Sequence, residues 1–307
     1  AKSVYNFQTT SALIERLKVD RTLRILCGWR HHNAIPSESK FSRVFNEFSR
    51  LRIATKAHDA FIESYLSEIL FFYNSTDSTA IEQREKPINK EKFEDEKPKR
   101  KPGRPKKGEV VPPKAPTILE QQKAMESTEE MLSIISTECD VGIKQNSKGN
   151  RSKWIGGKLH MGVVDGDIPI TAIYSSASVH DSSLALPVIK ETSAKVNYLY
   201  DLADAAYDAE IIKTFSLKNG HRPIIDSNPK NSQTLKREIE KESKEKKMLQ
   251  KLNLHVSSDV HHYNQRSSVE RVNAYLKDSF GCRNIYYQGA VKVSSVLSFA
   301  VLSVCIH

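Results

Sequence analysis

From residue 151 to residue 225 the chain alternates short strand-like and helix-like segments, and this order constrains the fold more than any other feature. "KWIGGKLHMGVV" alternates as a strand does, "DGD" at 165–167 is a hairpin turn, and "IPITAIYSS" is the return strand. "HDSSLALPVIKE" opens a helix, with Asp181 or Ser182 available as its cap. "VNYLYDLADAAY" is an apolar run that ends in an acid, Asp204, followed by "DAEIIKTFSLKNG", a helix stopped by Gly220. "RPIIDSNP" is a further short strand. Well upstream, "EILFFYNSTDSTAI" reads as a buried strand with Asp77 at its C-terminal end. Together these segments predict a compact α/β unit.

The flanking segments differ in kind. Residues 1–68 read as helices: "TSALIERLKV" has a cap at Thr10 or Ser11, and Ser37 precedes "ESKFSRVFNEFSRL". Helix, turn and helix with many arginines fit a DNA-binding head or, equally, a helical cap on the next domain. Residues 82 to about 117 are rich in Lys, Glu and Pro and cannot bury enough apolar surface to order themselves. Residues 118–137 read as one helix, and "KREIEKESKEKKMLQK" is a highly charged stretch before residue 261. The domain reading is therefore 1–68 as a helical region and 69–307 as the main domain, interrupted by a basic and charged insert at 82–137.

In its 307 residues the chain carries a net charge of +10, which points to an anionic partner. Its four cysteines, Cys27, Cys139, Cys282 and Cys305, form no CxxC pair, which argues against a zinc ribbon or a disulfide framework and fits a reducing compartment. No signal peptide is visible, and "VSSVLSFAVLSVCIH" is too short and serine-rich for a membrane span, so a buried element is expected there. The start at Ala1 and the stop inside that apolar run read as a truncated or processed chain. "IGGK" is not a phosphate-binding loop, because Ser152 stands where a glycine is required, and no nucleotide cofactor is implied.

Residues 261–281, "HHYNQRSSVERVNAYLKDSFG", have no Pro or Gly before Gly281 and predict a helix. At about 100° per residue, Tyr263, Arg266, Glu270 and Lys277 fall within roughly 60° of one another. Val269, Leu276 and Phe280 lie on a neighbouring arc suited to a core. The polar stripe is roughly 21 Å long at about 1.5 Å per residue, a length that suits an extended anion. Asp77 and Asp204 follow strands and Glu270 lies on this helix, so three carboxylates can meet at one sheet edge. Hard oxygen ligands of that kind suit Mg²⁺ or Mn²⁺, and two such ions can clamp the attacking and leaving oxygens of a phosphoryl displacement. Taken singly, Asp77 could be a turn residue, Asp201 and Asp208 compete with Asp204, and Glu270 could be a solvated helix charge. Trp29 and Trp154 read as core rather than base-stacking residues, and His160 and His180 as core or capping residues.

The spacing Y-x2-R-x3-E-x6-K at Tyr263, Arg266, Glu270 and Lys277 resembles the signature of DDE transposases from bacterial cut-and-paste insertion sequences. "STDST" resembles that family's first-aspartate motif and "LADAAYDA" its second; "GGKLHMGVVDGDIPITAIYSSASVHDS" resembles the strand pair between them, and "LCGWRHHNAIPSESKFSRVFNEF" the region before the core. The resemblance implies an α/β, ribonuclease H-like core, a mixed central sheet flanked by helices, with an N-terminal helical region and an inserted basic segment. It implies that Asp77, Asp204 and Glu270 hold two Mg²⁺ or Mn²⁺ ions, and that Tyr263, Arg266 and Lys277 contact phosphates near the transposon end. The implied reaction frees a 3′-hydroxyl at that end and transfers it into target DNA. Double-stranded DNA and a second copy of the chain in a synaptic complex are the implied partners, and a bacterial, nucleoid-associated cytoplasmic setting the implied location. The modest stretch at 221–262 leaves the DNA-hairpin route of some relatives open. "KPGRPKK" resembles an AT-hook, so Arg100, Lys101, Arg104, Lys106 and Lys107 are expected to contact DNA rather than form a solvated linker. The alternatives are a nuclease that cuts without joining and a transposase-derived DNA-binding protein without catalysis.

Overall fold

The computed structural model describes residues 1–89, 115–145, 149–229, 232–252 and 258–307. Arg100, Lys101, Arg104, Lys106 and Lys107 lie outside the described residues. The chain opens with α1 (Thr10–Val19), α2 (Arg21–Leu26), α3 (Glu38–Arg50) and α4 (Ile53–Tyr65), then enters β1 (Leu70–Gln83). Two short helices, α5 (Ile118–Gln122) and α6 (Thr128–Ser133), precede β2 (Asp140–Gln145), β3 (Arg151–Val164) and β4 (Ile168–Ser176). Next come α7 (Ala185–Lys195), β5 (Asn197–Ala203), α8 (Glu210–Lys218) and β6 (Arg222–Ile225). The C-terminal part holds α9 (Gln233–Lys251), α10 (Ser258–Asn264), α11 (Ser267–Ser279), β7 (Asn284–Ile285) and α12 (Ala290–Ile306).

The strands make one mixed sheet. β1 is its axis, antiparallel to β3 on one side and parallel to β5 on the other, and β6 extends the parallel half beyond β5. The outer edge of β3 is shared, with β2 along its first half and β4 along its second. The three-residue β3–β4 turn, 165–167, places Gly166 at φ 79° and Asp167 at φ 62°, both in the left-handed region that lets the chain reverse so tightly. Helices cover both faces. On one, Ile81, Leu159, Met161 and Val163 meet Val269, Val272 and Leu276 of α11 and Leu297 and Val301 of α12. On the other, Ala185, Leu186 and Ile189 of α7 pack with Met131, Tyr207 and Ile212. Each fully buried Val, Leu, Ile or Met side chain among these contributes roughly 1.5–3 kcal/mol. α4 closes one end of the sheet, with Ile62 and Leu66 against Phe71, Ile170 and Tyr198. Trp29 packs edge-on against Phe41 beside Leu13, Leu17 and Leu23, a core position as expected.

Several local expectations are corrected. Residues 118–137 are two helices, each restarted by its own capping box: Thr117 with Glu120, then Ser127 with Glu130. The strand β2 just after them carried no clear alternation and was not anticipated. The cap of α1 is Thr9, whose hydroxyl accepts from the Ala12 N–H, rather than Thr10 or Ser11. His180 caps the short 3₁₀ turn before α7, which leaves Asp181 for another partner. The 261–281 segment is broken between Asn264 and Ser267 into α10 and α11. β1 runs on for six residues past Asp77, so that acid lies within a strand rather than at its end. The apolar C-terminal run is α12, packed in the core, and no helix among the described residues is long and apolar enough to cross a membrane.

Candidate active site

Sheet register brings the acids together. The parallel ladder ends at Thr76 opposite Ala203, and Ala203 stands opposite Ile225. The residues that follow are Asp77, Asp204 and Asp226, so three neighbouring strands deliver an aspartate to one edge. Asp77 is half-buried, and its pKa is raised to about 6. Burial is the main cause; the Ser78 N–H and Arg266 oppose it, while Asp204 and Asp181 reinforce it. Asp204 is half-buried too and caps the 3₁₀ turn at 205–207, accepting from the Ala206 N–H at 2.9 Å.

The rival acids have other occupations. Asp201 points into the core, where Asn74 Nδ2 donates to it at 3.0 Å and Ser216 Oγ at 2.5 Å. Asp208 accepts from Lys213 Nζ at 2.5 Å and from the Asn228 N–H at 2.7 Å, bracing a turn. Asp165 accepts from the Phe72 N–H at 2.5 Å, and Asp167 holds Arg271 of α11 through two bonds of 2.7 and 2.8 Å.

Alternate residues of β1 face α10 and α11. Tyr73 Oη lies 2.7 Å from His262 Nδ1, Ser75 Oγ donates to the Gln265 carbonyl at 3.4 Å, and Asp77 feels the charge of Arg266. His262 also stacks on Tyr200, with ring centroids 4.6 Å apart. This platform seats the polar stripe above the acids. Tyr263 is half-buried and hydrogen-bonds to Asp226 and Arg266; burial raises its pKa, and Asp226 raises it further. The Arg266 guanidinium also lies over the Tyr263 ring, 5.6 Å from its centroid. Arg266 Nη2 pairs with Glu270 Oε1 at 2.8 Å, the arginine being 20% exposed and the glutamate 53%. Lys277 is half-buried, and its pKa is lowered by burial and then by Arg283 and Lys144, which marks a knot of cations at the far end of the stripe.

Two acids at this edge were not singled out from the sequence. Asp226 ends the apolar run "RPII" just as Asp204 ends "YLYDLA", so the same signal was available. Asp181 was read only as a cap. It accepts from Lys158 Nζ and from Ser78 Oγ, each at 2.8 Å, contacts that no local pattern announces. His160 is a core residue, 2.8 Å from Ser175 Oγ, and Trp154 donates its indole N–H to the Gly157 carbonyl at 3.2 Å.

Among the described residues, no three His, Cys, Asp or Glu side chains are grouped so that they could hold a metal ion. Glu270 is instead engaged by Arg266. The donor chemistry nevertheless fits a divalent cation. Asp77 stands half-buried near other carboxylates, its charged form disfavoured chiefly by burial and further by Asp204 and Asp181, and its oxygens are of the hard type that Mg²⁺ and Mn²⁺ take.

The family model described as "Transposase DDE domain" matches residues 125–306. The chain belongs to the DDE-domain transposases. The mixed sheet flanked by helices is accordingly the ribonuclease H-like core of such a transposase. Asp204, Glu270 and the whole polar stripe fall within the matched residues, whereas β1 and Asp77 precede them. No curated protein matches the chain.

Proposed function

We propose that this DDE transposase cuts DNA at the ends of its mobile element and joins the freed 3′-hydroxyl to a target phosphodiester. The observation that carries this reading is the alignment of Asp77 and Asp204 just past the paired residues Thr76 and Ala203, facing the helix that bears Arg266 and Glu270. Asp77, Asp204 and Glu270 would hold the divalent ions, Mg²⁺ or Mn²⁺ and two in number; when bound, these neutralise the clustered carboxylates and polarise the reacting phosphodiester.

The chain's own residues supply position and charge. Tyr263 and Arg266 are held by acids, Asp226 and Glu270, and present donors to DNA phosphates along the same stripe. A phosphate that takes over Arg266 leaves the Glu270 carboxylate available to the site. Lys277, with Lys144 and Arg283 nearby, extends the contact along the strand. The basic residues Arg100, Lys101, Arg104, Lys106 and Lys107 add an AT-hook-like contact, and a second copy of the chain pairs the two ends in a synaptic complex.

The test is a cleavage and strand-transfer assay on DNA carrying the element's own end, with Mg²⁺ or Mn²⁺. Nicked and joined products are expected. Nicking without joining would indicate a nuclease, and binding without cleavage a DNA-binding protein.

A further inference from the structure

His262 directly precedes Tyr263, and its ring turns towards the sheet while its neighbour His261 is exposed. The Nδ1 of His262 lies 2.7 Å from Tyr73 Oη, and the ring stacks on Tyr200 with centroids 4.6 Å apart and planes 18° from parallel. Tyr73 and Tyr200 stand opposite one another on β1 and β5. From there the parallel register runs without a break to Thr76 and Ala203, one residue short of Asp77 and Asp204. Side chains four residues apart on a strand share a face, with about 13 Å between them. The tyrosine pair that receives His262 is therefore the base of the same two columns that carry the acids.

The backbone of His262 is tied to the start of α11. The Gln265 N–H donates to the His262 carbonyl and the Arg266 N–H to the Tyr263 carbonyl, each at 3.0 Å. Ser75 Oγ, between Tyr73 and Asp77 on β1, donates to the Gln265 carbonyl at 3.4 Å. With only seven residues, α10 is too short to hold itself as a helix in water, so its place depends on what it touches.

We propose that His262 is a positioning residue for cleavage: bridged to Tyr73 and Tyr200, it holds the α10–α11 turn so that Tyr263 and Arg266 present a DNA phosphate in register with Asp77 and Asp204. This rests on the reading of those acids as the catalytic centre. A reacting group misplaced by about 1 Å costs up to roughly a hundredfold in rate.

The test measures single-turnover cleavage at saturating end DNA, gel-shift affinity and thermal unfolding. The proteins are the wild type, His262→Ala, His262→Asn, Tyr73→Phe, the Tyr73→Phe/His262→Ala double variant and Asp204→Asn. Asparagine returns a polar atom near the place of Nδ1. His262→Ala is expected to fold and to cleave about ten- to a hundredfold more slowly, with affinity within a few-fold of wild type. His262→Asn should recover part of the rate, and the double variant should be no slower than His262→Ala, because both changes break one link. A His262→Ala rate within about twofold of wild type would overturn the proposal. So would a loss confined to affinity, which would make His262 a DNA contact, or failure of both His262 variants to fold, which would make it a core residue. Failure of the underlying reading looks different: Asp204→Asn would cleave as fast as the wild type, and the proposal would fall with it.

Discussion

At the scale of single residues, the site is made of side chains whose partners are set by register rather than by local sequence. Glu270→Gln keeps the size and the hydrogen-bonding capacity of the side chain and removes its charge. We expect cleavage to fall about a thousandfold or more while binding to the element's end stays within a few-fold, measured by single-turnover cleavage and gel shift. Cleavage at the wild-type rate would remove Glu270 from the mechanism. His160 offers a prediction about stability. It is fully buried, and burial lowers its pKa from 6.5 to about 4. The folded state therefore favours the neutral ring, and the unfolded chain takes up a proton first as pH falls. Its contribution is full above about pH 6.5 and is lost between there and about pH 4, by roughly 3 kcal/mol at most. Asp77, whose pKa is raised, acts in the opposite sense, so the comparison must be between proteins: denaturant unfolding of His160→Gln should lose less stability than wild type between pH 6.5 and 4. Equal losses would contradict the assignment. Asp77, Asp204 and Glu270 stood out in the sequence because each follows an apolar run or lies on an amphipathic stripe. Asp181 did not, because Lys158 and Ser78, which bind it, lie on strands 23 and 103 residues away. Asp226 was legible by the same rule as Asp204.

At the scale of elements, the strands of 151–225 were readable because period-2 alternation and the Asp-Gly turn agree with one another. The strand β2 and the split of 118–137 were not, since helix-forming residues flank two capping boxes whose meaning depends on packing against α7 and α8. The break between α10 and α11 is likewise a tertiary effect. Tyr73 and Tyr200 hold His262, and Asp226 holds Tyr263, so α10 is anchored to strand ends while α11 follows the apolar seam of the core. Gly156 illustrates how closely the sheet is assembled. It lies opposite both Asp140 and Glu82, where β3 is flanked by β2 and β1, with φ at 150°. A Cβ there would stand 2.1 Å from the Ile81 carbonyl oxygen. Gly156→Ala should therefore destabilise the protein by about 3 kcal/mol or more, read from chemical denaturation. A change below about 1 kcal/mol would mean that the β1–β3 ladder gives way more easily than this geometry allows.

At the scale of the whole molecule, the net charge of +10 and the polar stripe address the same anionic partner, and the basic run at 98–107 adds six cations without an acid. Deleting 98–107 should weaken DNA affinity and flatten its dependence on salt, because fewer counterions are released on binding. An unchanged salt slope would return that run to the role of linker. The central claim is that acids distant in sequence, carried by β1, β5 and α11, meet around divalent ions when DNA is bound. Anomalous diffraction from crystals of the protein with its element's end and Mn²⁺ tests it most directly. Anomalous peaks are expected within ligating distance of Asp77, Asp204 and Glu270, with Arg266 turned from Glu270 to a phosphate; Mn²⁺ elsewhere, or these three carboxylates free of it, would show that they do not form the metal site.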